Sequence, residues 1–231
     1  MNRNITNIIR FCMDELLPPI IRDNKYFMYP FFYYAFKGKN IKTMMEFKSM
    51  AGKMSTEEYE DIYKNLDTLG ARRPTDLNSS CIRYILNKIE KEDKKIIDVG
   101  CGRGYFVELL LRKFPEKEIW GADLLQDLEI PKLNYIQGNI ENLPLENKSM
   151  DVVVCSHVLE HVLDFDKTLK ELKRIARKKI IITVPKQRYY YYTLDLHLHF
   201  FYKEFELIEA MKMENFEIKN LQGDFVFVGY L

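Results

Sequence analysis

Residues 96–105, Ile-Ile-Asp-Val-Gly-Cys-Gly-Arg-Gly-Tyr, decide the fold of this chain. A short apolar run ends at an acidic residue and passes into a turn with glycine at every second position. This pattern predicts a buried strand, a tight turn and the start of a helix. The dinucleotide-binding fingerprint, G-x-G-x-x-G, places its third glycine where Tyr105 stands, because a pyrophosphate meets the helix there. The spacing G-x-G-x-G therefore favours a ligand without a pyrophosphate.

Acidic residues end the first two predicted strands. Asp98 can hold amides of the loop and contact a positively charged end of a ligand. Asp123 ends the second apolar run, Trp120–Asp123, and a carboxylate there can accept hydrogen bonds from both hydroxyls of a ribose. This second feature fits a nicotinamide cofactor equally well, so a nicotinamide enzyme and a tight turn without any ligand stay open at this point.

Short apolar runs alternate with amphipathic helices from Lys95 onwards, which indicates βα units around a mostly parallel sheet. We predict a doubly wound α/β sheet of seven strands, with the last two paired as an antiparallel hairpin through Gln222-Gly223. The predicted strands are Lys95–Val99, Glu118–Ala122, Leu133–Ile136, Asp151–Cys155, Lys179–Val184, Phe216–Leu221 and Phe225–Tyr230. The predicted helices are Gly104–Phe114, Asp166–Lys178 and Lys203–Met213.

The region before this pattern indicates helices and loops. We predict an N-terminal helical cap or lid over residues 1–90 and a second domain, built on the sheet, over 91–231. Ser55-Thr56-Glu57-Glu58 has the spacing of a capping box, and Asn78 or Thr75 suits the start of a further helix. The aromatic run Tyr26–Phe36 suits a buried lid, while a homodimer contact and a shallow membrane-surface contact stay open.

Composition limits the classes of partner. The chain of 231 residues has 35 basic and 34 acidic residues, which gives no general argument for a nucleic-acid partner. Its four cysteines show no disulfide-like spacing, and its N-terminus lacks the cleavage site of a signal peptide. No uncharged apolar stretch reaches the roughly 18 residues of a membrane-spanning helix. We expect a cytoplasmic protein without stable membrane insertion.

Several motifs resemble the class I S-adenosylmethionine (SAM)-dependent methyltransferases, particularly the type 11 branch. They are DVGCGRGY (98–105), GAD (121–123), QGNIENLPL (137–145), SMDVVVCSHVLEHV (149–162) and ELKRIARKKIIITVP (171–185). The resemblance implies the Rossmann-like methyltransferase fold, with SAM as the cofactor. The flanking segments LPPIIRD (17–23), RRPTDLN (72–78) and QRYYYYTLDLHLHFF (187–201) resemble a subgroup found in bacterial surface-polysaccharide gene clusters.

The resemblance also implies roles for residues that follow the strands. The glycines of the loop would wrap the cofactor, and Asp123 would hold its ribose. Asn139 and Ile140 would contact the adenine, while Ser156 and His157 would lie beside the cofactor and face the acceptor. The predicted cofactor-binding residues are Asp98, Gly100, Cys101, Gly102, Gly104, Asp123, Leu124, Asn139, Ile140, Ser156 and His157.

Methyl transfer to a neutral hydroxyl needs a base, and the four histidines all fall between residues 157 and 199. His157 would start a short helix after the fourth strand, with His161 one turn later. We favour His199 or His197 as the base, with His157 as a further catalytic candidate and Asp195 as an orienting carboxylate. Packing roles for these histidines stay open. The spacings HxxxH and HxH also suit a metal, but we expect none.

The acceptor side is predicted to be aromatic and basic. Tyrosine rings with polar tips suit sugars, and arginines suit phosphate groups. The predicted substrate-binding residues are Arg188, Tyr189, Tyr191, Asp195 and Arg73, with Arg72 as an alternative to Arg73. An anionic phosphoryl oxygen would need no base.

These inferences lead to one main functional hypothesis. We expect O-methylation of a sugar, phosphorylated sugar or phosphoramidate precursor of a bacterial surface or capsular polysaccharide, with a small-molecule acceptor and no nucleic acid. Cys155-Ser156-His157-Val158 lacks the N/D-P-P-Y/F element of enzymes that methylate amino groups of bases. The alternatives are a methyltransferase for a quinone precursor or other small metabolite, and a catalytically silent scaffold subunit with this fold.

Overall fold

Seven strands form one sheet in the part of the chain that the computed structural model describes: residue 9 and residues 11–64, 74–124 and 128–231. The strands are β1 Lys95–Val99, β2 Glu118–Asp123, β3 Asn134–Gln137, β4 Met150–Ser156, β5 Ala176–Pro185, β6 Phe216–Leu221 and β7 Asp224–Tyr230. Their order is β3-β2-β1-β4-β5-β7-β6, and β7 is antiparallel to both of its neighbours. The predicted doubly wound sheet is confirmed, as is the closing hairpin.

The order of the strands determines where a ligand can bind. From β1 the chain moves outwards through β2 and β3 and then returns to place β4 on the other side of β1. Ligands of open α/β sheets bind beyond the carboxyl ends of the strands where the winding direction reverses. This point lies between the ends of β1 and β4, which are followed by Gly100 and His157.

The helices that the structure describes are, in chain order, α1 Pro19–Arg22, α2 Lys25–Ala35, α3 Ile41–Ala51, α4 Thr56–Lys64, α5 Ser79–Asn87, α6 Tyr105–Lys113, α7 Phe165–Ile175 and α8 Glu204–Met211; a π-helical turn at Cys12–Leu16 precedes them. The prediction that α7 continues to Lys178 is wrong. Ala176 is buried and pairs with Met150, so it already belongs to the sheet. None of the described helices is long and apolar enough to cross a bilayer.

The chain divides into two units, one of them formed by Met1–Pro74 with Gln187–Tyr202 and the other by Thr75–Lys186 with Lys203–Leu231. Helix α5, which the predicted boundary at residue 90 assigned to the cap, lies in the second unit. The reason is its apolar face, because Cys81 and Ile85 are fully buried in one cluster with residues of the sheet. Asn78 caps this helix by accepting the Cys81 N–H at 2.8 Å.

The first unit is formed by helices and by the segment Gln187–Tyr202. The predicted capping box of α4 is confirmed, since Ser55 and Glu58 each accept the other's backbone N–H, at 3.2 and 2.9 Å. Helix α2 buries Met28, Phe32 and Ala35. The ring of Phe32 also meets Tyr192 edge-on, with centroids 6.3 Å apart, so the segment packs on this helix.

Candidate active site

The loop after β1 is held in a left-handed backbone conformation at its three glycines. Gly100, Gly102 and Gly104 have φ values of 77°, 53° and 85°, a region that residues with a side chain rarely adopt. The N–H groups of Gly100 and Cys101 both donate to the carbonyl of Ala122, at 2.7 and 3.1 Å. These bonds fix the loop to the end of β2 before α6 begins.

A Cβ atom would collide with neighbouring side chains at two of the glycines, and it would not at the middle one. A Cβ atom at Gly100 would lie 2.2 Å from Val158 Cγ2, and one at Gly104 would lie 2.4 Å from Ile130 Cδ1. A Cβ atom at Gly102 would meet no atom within 4 Å. The loop therefore presents its backbone to open space at Gly102, as the close approach of a ligand requires.

Asp98 and Asp123 place two carboxyl groups beside this loop. Asp98 is buried, and its burial, together with the charge of Asp123, raises its pKa to about 7. Asp123 accepts the N–H of Gly102 through Oδ2 at 2.7 Å. We expected Asp98 to hold the loop amides; this amide is held by Asp123, because the loop folds back against the end of β2.

Cys101 contributes to the loop through its backbone, and its thiol is not a reactive group. Burial, followed by the charges of Asp98 and Asp123, raises the pKa of its thiol, which therefore stays protonated. A Cβ atom at Gly121 would lie 3.0 Å from Cys101 Sγ, so the thiol packs against β2.

The ends of β2 and β3 bring the next predicted residues to the same edge of the sheet. Leu124 is half-buried and Ile140 is buried. Asn139 Oδ1 accepts the N–H of Glu141 at 2.8 Å, which closes a local turn. The N–H of Gly138 donates to the carbonyl of Asp123 at 3.0 Å and joins this turn to the end of β2.

Ser156 ends β4 and His157 follows it, but no helix begins there. The structure has turns over residues 157–163, and the prediction of a short helix is wrong. His157 has a left-handed φ of 55°, and its N–H donates to the carbonyl of Thr183 at 2.8 Å. Ser156 Oγ donates to Thr183 Oγ1 at 3.4 Å. The chain thus leaves the sheet abruptly instead of continuing into a helical turn.

Two buried carboxylates flank His157. Its Nδ1 lies 3.2 Å from Glu160 Oε1, and its Nε2 lies 3.6 Å from Asp224 Oδ2. Burial alone lowers the pKa of the imidazole, but Asp224 and Glu160 outweigh it and raise the pKa to about 10. Asp224 also accepts the Nδ2–H of Asn78 at 2.9 Å. In this environment His157 is an imidazolium at neutral pH, which does not accept a further proton.

His197 has a different kind of neighbour in the first unit. Its Nδ1 lies 2.7 Å from Gln187 Oε1, and Gln187 Nε2 donates to the hydroxyl of Tyr190 at 2.6 Å. An amide oxygen only accepts, so Nδ1 of His197 carries a proton. Gln187 thus holds Nδ1 of His197. Asp195 is exposed, and its orienting role stays a prediction. His199 is half-buried.

The tyrosine run is anchored by charged residues of the first unit. Lys48 Nζ donates to the carbonyl of Tyr190 and lies 4.2 Å from the centre of the Phe200 ring. Burial lowers the pKa of Lys48 to about 7, and Asp23 partly opposes this. Asp23 also accepts the N–H of Tyr191 at 2.6 Å. Tyr189, which is exposed, and Tyr191 are the predicted substrate-binding members of the run.

Arg188 is already engaged by neighbours within its unit. Its guanidinium lies 4.0 Å from the centre of the Tyr202 ring, donates to the Tyr202 hydroxyl at 2.8 Å and pairs with Glu15 at 3.4 Å. A phosphate at Arg188 would therefore compete with Glu15. Arg72 and Arg73 lie outside the described residues.

Four functional neighbours were missed from the sequence: Gln187, Glu160, Thr183 and Asp224. Glu160, three residues after His157, was the one with a local signal. Thr183 and Asp224 reach the surroundings of His157 only because their strands pair in the sheet, which a local sequence pattern does not show. Gln187 belongs to no motif that would mark it as functional.

The sheet order and the glycine loop define a class, since this is the Rossmann-like fold of the class I SAM-dependent methyltransferases. A solved structure of a SAM-dependent methyltransferase from Thermotoga maritima matches with a TM-score of 0.53 at 18% identity, over 65% of this chain and 87% of that chain, a likeness that shows the fold. Residues 97–183 match the family described as methyltransferase domain. Residues 97–183 thus match a methyltransferase domain on the fold of SAM-dependent methyltransferases, which implies SAM as the cofactor.

Two curated relatives each match less than half of the chain. A ubiquinone/menaquinone biosynthesis C-methyltransferase from Campylobacter jejuni is 30% identical over 105 residues, which are 41% of this chain and 45% of that protein. A ubiquinone biosynthesis O-methyltransferase from Vibrio vulnificus is 36% identical over 100 residues, which are 38% of this chain and 42% of that protein. The matches thus span less than half the length of these relatives.

Proposed function

We propose that this chain uses SAM to methylate an oxygen of a sugar, phosphorylated sugar or phosphoramidate precursor of a bacterial surface or capsular polysaccharide. The observation that supports an oxygen acceptor is the contact of His197 with Gln187, which holds a proton on Nδ1 and would leave Nε2 to act as the base. A hydroxyl acceptor needs such a base. The polysaccharide context rests on the resemblance of the segments 17–23, 72–78 and 187–201. We place the reaction in the cytoplasm, consistent with four cysteines that form no disulfide.

The residues that would hold the cofactor lie at or just after the carboxyl ends of β1, β2, β3 and β4. The backbone at Gly102 faces open space, and the neighbouring carboxylate of Asp123 would accept hydrogen bonds from ribose hydroxyls. Asp98 would contact the ammonium group, with a loop shaped by Gly100, Cys101 and Gly104. Leu124, Asn139, Ile140, Ser156 and His157 complete the proposed set. When bound, SAM supplies an electrophilic methyl group on a sulfonium.

The amide of Asn139 would take a donor role towards the adenine. Its Oδ1 accepts the N–H of Glu141, so we assign the Nδ2–H group to an acceptor nitrogen of the adenine ring rather than to the exocyclic amine. This assignment refines the contact that the family resemblance implied for Asn139.

The proton of the acceptor hydroxyl would move to His197 Nε2. General-base assistance of this kind contributes roughly 10²–10⁴-fold to a rate. Because Nδ1–H is bonded to Gln187, the ring keeps its orientation as Nε2 gains the proton. His199 is the second candidate for this role, and His157 is the weakest because its two carboxylate neighbours keep it protonated.

Residues of the first unit would bind the acceptor. Tyr189 and Tyr191 offer flat apolar faces with polar tips, which suit a sugar ring. Arg188 and Arg73 would bind a phosphate, and Asp195 would accept hydrogen bonds from sugar hydroxyls. With an anionic phosphoryl acceptor these residues matter more than His197, because that oxygen needs no base.

A quinone precursor is the second candidate acceptor, and the names of the relatives from Campylobacter jejuni and Vibrio vulnificus favour it. The phenolic hydroxyl of such a precursor would use the same base. Its flat ring would stack on the tyrosines that suit a sugar, so the residues alone do not separate these acceptors.

A SAM-consumption screen tests the proposal. Release of S-adenosylhomocysteine is measured with nucleotide sugars, sugar phosphates, sugar phosphoramidates and demethylated quinone precursors. We expect turnover above the acceptor-free background with a member of the first three groups. Turnover with quinone precursors alone would contradict the sugar acceptor and leave the methyltransferase assignment intact. The control is the Gly102→Val variant, which should show no turnover because its side chain fills the space beside the loop.

A further inference from the structure

Helix α2, here called the aromatic helix, exposes an unusual number of large rings. It buries Met28, Phe32 and Ala35. Tyr26 and Tyr34 are 87% and 84% exposed, although aromatic side chains are normally covered. The exposed rings of this helix are Tyr26, Phe27, Tyr29, Phe31, Tyr33 and Tyr34.

The exposed rings surround most of the helix. Met28, Phe32 and Ala35 are spaced four and three residues apart, so at 100° per residue they share one face. The six exposed rings occupy the remaining circumference, where an ordinary surface helix carries charged side chains. Leu16 and Ile20 precede the helix and are 63% and 82% exposed, so the apolar surface begins before α2. Such a surface marks a place of contact with another apolar phase.

The charges between Asn24 and Met45 have one sign, and the acidic residues Asp23 and Glu46 lie just outside this stretch. Between Asn24 and Met45 the sequence contains four lysines and no acidic residue. These lysines are Lys25, Lys37, Lys39 and Lys42, and all of them are exposed. The chain as a whole is almost neutral, so this local excess of positive charge belongs to this segment.

We propose that the aromatic helix docks on the surface of an anionic lipid bilayer. Tyrosine rings favour the boundary between headgroups and acyl chains, and lysine side chains beside them reach the anionic headgroups. An apolar helix side flanked by lysines is the pattern of a helix that lies in the plane of the membrane surface. The contact is peripheral and reversible.

Charge decides between a bilayer and a second copy of the chain. A two-fold symmetric interface would bring the lysines beside one aromatic helix close to those beside the other, without an acidic residue from this segment to compensate them. Cores of protein interfaces are also depleted in lysine. An anionic bilayer compensates all four lysines at once and covers rings that point in several directions.

Vesicle co-sedimentation of the full chain tests the proposal. The probes are vesicles of phosphatidylcholine alone and of phosphatidylcholine with about one third phosphatidylglycerol. We expect binding to the anionic vesicles that weakens as salt is added. Tyr26→Gln with Tyr34→Gln should weaken it about tenfold, and Lys37→Glu with Lys39→Glu should weaken it by a similar factor.

Matched controls change the same residue types on the other unit. Phe205→Gln removes an exposed ring, and Lys91→Glu with Lys170→Glu reverses two exposed lysines. These controls should bind like the unchanged chain, and all variants should keep its thermal transition. Equal binding to both kinds of vesicle, absence of binding, or loss of binding in the controls as well would overturn the proposal. Concentration-dependent dimers that Tyr26→Gln with Tyr34→Gln abolishes, without vesicle binding, would assign the surface to a second copy.

Discussion

His157 and His197 are both largely buried, and the partners of their ring nitrogens set them apart. His157 follows β4 and is flanked by Glu160 and Asp224, whose charges hold it as an imidazolium. His197 lies in the segment Gln187–Tyr202 and meets the uncharged amide of Gln187. Position in the sequence therefore identifies candidate histidines, and the hydrogen-bond partners of each ring distinguish the roles that we propose for them.

The largest expected effect is on turnover and comes from His197→Gln. This change removes the proposed base, so kcat should fall roughly 10²–10⁴-fold on the true acceptor. The affinity for SAM should stay within a factor of about two, since His197 belongs to the acceptor side. Steady-state kinetics and calorimetry measure the two quantities.

His199→Gln is the matched control, because it tests the other predicted base in the same segment. If both variants keep full turnover, the histidine mechanism is contradicted and an anionic acceptor oxygen is favoured. If His199→Gln alone abolishes turnover, the roles of the two residues are exchanged.

The next effect concerns stability. His157→Gln leaves Asp224 and Glu160 buried without their cation, which should cost on the order of 3–5 kcal/mol of unfolding free energy near neutral pH. The pKa of His157 is raised from 6.5 to about 10, so its stabilisation is fully present below about pH 6.5 and is lost as pH rises through about 10. The difference between the two proteins should therefore shrink across this window, as urea denaturation at several pH values can show.

A second variant separates the charge from the packing. Adding Asp224→Asn to His157→Gln removes one uncompensated carboxylate and should recover part of the lost stability. A difference that does not change with pH, or a double variant less stable than the sum of the two single changes, would contradict the assigned imidazolium.

A smaller effect, on the pH profile of kcat, is expected when His197 is given a charged neighbour like those of His157. Gln187→Glu places a carboxylate at Nδ1, which stabilises the protonated ring. The acidic limb of the pH profile of kcat should then move to higher pH, because the base stays protonated over a wider range. Gln187→Met is the control, which removes the hydrogen bond without adding a charge and should lower kcat without that shift. An unmoved limb in Gln187→Glu would argue against His197 as the titrating base.

The second unit could be predicted well from its sequence. The strands β1 and β6 have the predicted bounds, and the glycine loop and Asp123 lie at the expected edge of the sheet. Local patterns suffice there, because strand period and glycine spacing are properties of consecutive residues. Where β5 begins could not be read in this way, since the buried Ala176 follows directly on the helical pattern of α7.

The first unit and the charge state of His157 could be predicted less well. Gln187 orients His197 across ten positions of an irregular segment, and no periodicity reports such a contact. Asp224 meets His157 because β7 pairs with β5 in one particular register, which is a property of the assembled sheet. The aromatic run was expected to suit a buried lid, but much of it is exposed because one face of α2 suffices for packing.

The smallest expected effect compares two glycines of the loop. Gly102→Ala places a methyl group in open space, so the chain should stay folded with a strain of about 1–2 kcal/mol, while SAM binds about tenfold more weakly. Gly100→Ala drives the same methyl group into Val158 and should lower stability more. Thermal unfolding and calorimetry with SAM measure the pair. Equal SAM affinity in Gly102→Ala and the unchanged chain would place the cofactor elsewhere.

Calorimetric titration of the unchanged chain with SAM, S-adenosylhomocysteine and NADH tests the central claim most directly, that the backbone between Asp98 and Gly104 receives an adenosyl ligand without a pyrophosphate. We expect saturable, submillimolar binding of SAM that S-adenosylhomocysteine displaces, and no binding of NADH. Binding of NADH in the absence of SAM binding would contradict the account.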